Sequence, residues 1–159
     1  MPKYGVSFPG FVTTTALKSV VGAYMVTTLT MEAEIVEVIA TGGGATAAAD
    51  TQHRAQLMPF TFGATGASTT IVPMRWNQRA AAALGNYGSN YSAEPTATGV
   101  TVPMQFGFNQ RGGMRWAVPQ GEGYKITSNA DTTHTGATVQ IISAAAGVID
   151  ANMHLWQGN

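Results

Sequence analysis

Cysteine is absent from all 159 residues. That excludes a disulfide framework and any thiolate metal site. Charge is nearly as scarce. Asp, Glu, Lys and Arg make up 10% of the chain, against about 25% in ordinary soluble domains. Eight basic and eight acidic residues cancel, so the basic excess that phosphate recognition calls for is missing. A surface with so few charges tends to associate, and depletion of charge marks the centres of interfaces. The composition therefore points to a surface covered by further copies of the chain or by a partner. The alternative is a soluble surface of Thr, Ser, Asn and Gln. Long apolar runs are missing too. The longest, near Val20 to Val26, falls far short of the 18 or more residues of a membrane span. Gly5, Ser7 and Pro9 interrupt any apolar leader after Lys3. The expectation is a soluble chain made in the cytosol, with no membrane partner.

The residues that carry chemistry are few and scattered. His53, His134 and His154 are the only histidines, and none pairs with another at the i+2 or i+4 spacing common in zinc sites. Glu32 and Glu34 share a strand face, but like-charged neighbours read as a solvated face that deters edge-to-edge pairing rather than a glycosidase pair. No serine lies in a Gly-x-Ser-x-Gly elbow. Gly42-Gly43-Gly44 lacks the Lys-Ser/Thr of a phosphate loop. These absences predict a protein that is not an enzyme and takes no cofactor or metal. Arg75-Trp76 and Arg115-Trp116 interleave cations with aromatics, as single-stranded nucleic acid binders do, but the neutral balance argues against that use. Neighbours on a strand face opposite ways, and tryptophan is the better inward candidate in both pairs.

What the chain does have is a β vocabulary. Thr, Val and Gly abound, and β-branched side chains suit a pleated surface. Tyr4, Val6 and Phe8 alternate until Pro9-Gly10. Lys18 to Met25 is a second extended run. Thr30 to Thr41 is the clearest strand, beginning at an edge and becoming apolar on both faces at Ile35 to Ile39. Further strands are expected at Gln52 to Thr61, Thr69 to Met74, Val100 to Phe108, Met114 to Val118, Tyr124 to Thr127, Ala137 to Ser143 and Val148 to Trp156. Asn86 to Thr98 reads as a polar loop. Asn77 to Leu84 is the one helix candidate, with Asn77 as cap, four alanines inside and Gly85 as stop. Glycine-rich reversals at short intervals point to an all-β fold, a jelly-roll-like two-sheet sandwich with one short helix. Residues 1–28 form an N-terminal arm or edge strand, and residues 29–159 the sandwich.

The stretch from Phe106 to Ile126 contains Asn109, Gln110, Arg111, Arg115, Trp116, Pro119, Gly121 and Glu122. This order resembles a pattern in capsid decoration (cement) proteins of tailed bacteriophages, with Glu122 following Gly121 directly where that pattern spaces them. The earlier half agrees in layout: a Tyr-x-Val-x-Phe start, a Glu34-Ile-Val-Glu-Val strand, a Gly/Ala loop, a strand ending near Met58-Pro59 and a Glu94-Pro95 loop. The resemblance implies a virion structural protein, a β-sandwich homotrimer on the capsid exterior, made in the host cytoplasm. Its partner would be the major capsid protein, and it would have no enzymatic activity. Under that reading Tyr4, Phe8 and Phe11 are the expected partner interface, as an extended arm adding to a neighbour's sheet. Equally, Tyr4, Val6 and Phe8 are the first core strand by their alternation. If they form an arm, deleting residues 1–11 leaves a folded protein that no longer binds capsids. Rival readings are a fibre or tail module that binds host glycans, and a self-assembling jelly-roll coat protein.

Overall fold

The computed structural model describes residues 2–25, 32–43, 50–61, 65–77, 85–96, 102–128 and 135–158. Twelve strands run through them in the order β1 Lys3–Val12, β2 Lys18–Tyr24, β3 Glu32–Gly42, β4 Gln52–Phe60, β5 Ala67–Thr70, β6 Met74–Arg75, β7 Asn86–Ala93, β8 Met104–Asn109, β9 Met114–Ala117, β10 Tyr124–Thr127, β11 Gly136–Ser143 and β12 Val148–Gly158. There is no helix among the described residues. The helix expected over 77–84 lies, apart from Asn77, outside them.

The strands form two six-stranded antiparallel sheets. The first has the order β10-β3-β12-β1-β6, with β9 also on β3, and the second β5-β7-β2-β11-β4-β8. In the first sheet β12 lies between β1 and β3, and in the second β11 lies between β2 and β4. Beyond β4 comes β8, and beyond β3 come β9 and β10. Eight positions nested in this way, with early and late strands paired and successive strands switching sheets, are the jelly roll. Strands β5, β6 and β7 are additions at the other side.

Alternation explains why these segments become strands. Along β12 the buried residues are Ile149, Ala151, Met153, Leu155 and Gln157, with half-buried residues between them. The inward side chains of both sheets meet in one core that includes Tyr4, Val6, Val21, Ile35, Val38, Leu57, Val139, Ile141 and Leu155. Each such side chain contributes roughly 1.5–3 kcal/mol by leaving water.

Two sequence expectations change, and a third point bears on the alternatives left open for the first strand. First, β3 is not an edge strand: it pairs with β12 on one side and with β10 and then β9 on the other. Its glutamates satisfy local partners instead of facing solvent together. Second, Asn86–Ala93 is a strand and not a loop. Its polar, glycine-bearing sequence hides this, because the strand is selected by close packing rather than propensity. Gly88 pairs with Gly22, and a Cβ on Gly22 would lie 2.3 Å from the Tyr91 hydroxyl. Third, residues 3–24 are built into both sheets. Strand β1 pairs with β12 from Lys3 to Val12 and meets β6 only at Tyr4 and Gly5. Among the described residues it is an edge strand beyond Gly5, and it covers part of the core, so removing it would expose the core rather than free an arm.

Candidate functional site

The three predicted interface residues sit as follows. Tyr4 is 1% exposed and Phe11 is buried, both in the core, while Phe8 is half-buried against it. The Phe8 and Phe11 rings meet edge to face at 6.4 Å. Between them Pro9-Gly10 makes a bulge, with Gly10 at φ +72°. The Gly10 N–H donates to Asp150 Oδ1 at 2.7 Å. Burial pushes the Tyr4 phenol above its ordinary range, with nearby Arg75 opposing. Among the three, Phe8 retains the most surface for a partner.

The carboxylates are largely committed to structure. Glu34 Oε1 accepts the backbone N–H groups of Gly121 and Gly123, both at 2.6 Å. This fixes the turn between β9 and β10, where a Cβ on Gly123 would lie 2.4 Å from the Ile35 carbonyl oxygen. Glu32 pairs with Lys125 at 3.1 Å. The reading of Glu32 and Glu34 as one solvated face therefore fails at Glu34, which is buried.

Glu37 organises the outer face of the first sheet. Its carboxylate meets Arg115 Nε at 2.6 Å, His154 Nδ1 at 2.6 Å and Lys3 Nζ at 3.4 Å. Strand register explains the meeting: His154 pairs with Glu37 across β12, Ala117 pairs with it across β9, and Lys3 lies on the neighbouring β1. Burial alone would push the carboxyl up. Hydrogen bonds and charge from His154 and Arg115 outweigh burial and hold it down at about 2. Trp76 extends the cluster, edge-on to His154 at 5.1 Å and under Lys3 Nζ at 4.9 Å. Gly5 leaves the room: a Cβ there would lie 3.1 Å from the His154 ring and 3.3 Å from the Trp76 ring.

Trp76 was expected inward, and it is 54% exposed. The two-residue β6 pairs Arg75 with Tyr4 and Met74 with Gly5, which sends Met74 and Trp76 to the outer face. Trp116 follows the expectation and packs against the core, while Arg115 faces out to Glu37. The outer face of the second sheet is built mainly of amides, with Arg54 exposed among them. Gln105 donates to Gln56, Gln56 to Gln140, and Gln140 to Ser19 and Glu94. This chain of amides ties β8, β4, β11 and β2 together across their register.

His53 is 3% exposed, stacked on Phe108 at 5.1 Å, and neither ring nitrogen has a hydrogen-bond partner among the described residues. Burial lowers its pKa. His134 lies outside the described residues. Among the described residues no three acidic or histidine side chains converge as metal ligands.

Two surface features remain. On the side of the sandwich where β8 faces β9 and β10, a groove of about 430 Å³ opens between the sheets. Leu57, Met104, Phe106, Trp116 and Tyr124 line it, with Glu122 at its wall. On the opposite side the chain crosses from β5 to β6 and carries exposed apolar residues. Val72 there is 94% exposed and Met74 60%. Sequence reading located neither feature: the groove is assembled from strands that only the topology brings together, and Thr69 to Met74 reads as one strand where the structure has β5, a crossing and β6.

No family model, curated protein or solved structure matches this chain.

Proposed function

We propose that this chain is a virion structural protein of a tailed phage, a decoration subunit that binds the outside of the major capsid shell and strengthens it. The observation that supports this reading is the jelly-roll strand order, an architecture that serves viral coats. Here it is joined to faces that are almost free of net charge and to described carboxylates that, apart from exposed Glu122, are held by structural partners. The fold alone does not assign the role. The resemblance of residues 106–126 to decoration proteins supplies the direction.

A ligand that binds only the assembled lattice stabilises it by mass action, by about 2.7 kcal/mol per site at a hundredfold excess over Kd. Several copies joined in a trimer add avidity to a weak single contact. Phe8 is the partner contact we favour at the start of the chain, on the stretch of β1 that pairs with β12 alone among the described strands, where a neighbour's backbone could add.

The test is to mix purified protein with phage heads stripped of decoration, pellet the heads and image them. Saturable binding on the outer surface and a higher temperature of DNA release are expected. Phe8→Ser should weaken the binding. Absence from the pelleted heads at every concentration would sink the proposal. Closed shells formed by the protein alone would favour a coat protein instead.

A further inference from the structure

We propose that the groove between β8 and β9/β10 receives the exposed Val72–Trp76 segment of a second copy of this chain, making a head-to-tail contact. The assignment supplies the surfaces for the trimer but does not depend on capsid binding, because it is read on the purified protein alone.

The two features are complementary in place. The first sheet ends in β6 at one side and in β9 and β10 at the other. The second ends in β5 at the first side and β8 at the other. The projecting segment thus bridges one side of the sandwich, and the groove opens on the opposite side. A patch that fits a different patch of an identical molecule makes a heterologous contact, which closes into a ring when the rotation permits.

They are complementary in chemistry too. The segment offers Val72, Pro73 and Met74, and the groove offers Leu57, Met104, Phe106, Trp116 and Tyr124. A fully exposed valine beside an exposed methionine is an apolar patch with a partner to find. Arg75 is exposed at the end of the segment, on the opposite face of β6 from Met74, and Glu122 is exposed at the groove wall. Opposite charges at the rim fix register and speed encounter.

Both surfaces are held in shape before they meet. The Ile71 N–H donates to the Tyr87 carbonyl oxygen at 3.0 Å, and the Trp76 N–H to the Lys3 carbonyl oxygen at 3.1 Å. These bonds anchor the segment at both ends. Glu34 clamps the backbone on either side of Glu122. Rigid surfaces lose less entropy on association. The last strand of the second sheet, β8, pairs with β4 alone among the described strands. Its outer edge lies beside the groove, ready for an extended segment.

Sedimentation velocity of the purified full-length protein across a wide concentration range should show a three-copy species. Arg75→Glu and Glu122→Arg should each shift its dissociation to higher concentration, on the order of tenfold, which corresponds to about 1.4 kcal/mol. The double charge swap should restore it. A Val72→Glu/Met74→Glu variant keeps its groove, and a Phe106→Glu variant keeps its segment. Each alone should be monomeric, and their mixture should form a two-copy species. Far-ultraviolet circular dichroism and thermal melts confirm that each variant is folded; Arg75→Glu and Glu122→Arg, both at exposed positions, carry the test if another fails. A wild-type monomer at all concentrations would overturn the proposal. So would a two-fold dimer, unchanged assembly in the charge variants, or a mixture that stays monomeric. Glycan-array binding that Phe106→Ser abolishes, with assembly intact, would assign the groove to sugar instead.

Discussion

Glu37 shows how one carboxylate ties four strands together. Its pKa is held near 2, below the ordinary 4.5. A depressed carboxyl contributes stability that is complete above its unfolded value and is lost as pH falls from about 4.5 through 2. The side chain is 9% exposed but Arg115 is 68% exposed, so solvent screening discounts that pair. The remaining contribution is roughly 2 kcal/mol. Glu37→Gln should lower the melting temperature at pH 7 and flatten its fall between pH 4.5 and 2, as thermal scans at a series of pH values would show. His53 behaves differently. Its pKa is depressed by burial from 6.5, so folding opposes its protonation, and stability is lost as pH falls below about 6.5. His53→Phe keeps the stack on Phe108 and removes two unpartnered ring nitrogens. It should raise the melting temperature, more at pH 5 than at pH 8. Equal change at both pH values would place the effect in packing alone. Neither role was legible in the sequence. The partners of Glu37 lie 34, 78 and 117 positions away, and only strand register brings them to one point.

At the scale of elements, the first strand decides between two ways of reading the N-terminal residues. Removing residues 2–11 would take Tyr4, Val6 and Phe11 out of the core and leave β12 unpaired on one side. Losing these three buried side chains at about 1.5–3 kcal/mol each removes about 4.5–9 kcal/mol, comparable to the roughly 5–15 kcal/mol that holds a typical domain folded. The truncated chain should lack a cooperative thermal transition; a sharp transition near that of the full chain would show that β1 is dispensable. Period-2 alternation made β1, β3, β8 and β12 readable in advance. It failed at β7, where two tyrosines, two asparagines and a glycine are fitted to contacts made elsewhere. It failed also at Trp76, whose direction follows from the register of a two-residue strand. The edge or centre position of β3 is a matter of topology, and alternation does not encode it.

At the scale of the whole molecule, the low charge noted first now has a location. Apart from the Lys18–Glu94 pair, the ion pairs among the described residues lie on the outer face of the first sheet. The outer face of the second sheet carries amides, and the two sides carry an apolar ridge and an apolar groove. Such a body has three kinds of surface: ionic, amide and apolar. If ridge meets groove around a ring, both are covered and the two sheet faces stay exposed. The nested topology also joins what synthesis separates. Lys3 pairs with Trp156 and Val12 with Val148, so the two ends of the chain emerge side by side at one end of β1 and β12. A pulling force applied through those ends would peel the two strands apart rung by rung, like a zip, instead of shearing all rungs at once. Rung-by-rung opening needs less force than shear, so a tether through Lys3 and Trp156 would make a sensitive gauge of load on any assembly that contains the molecule.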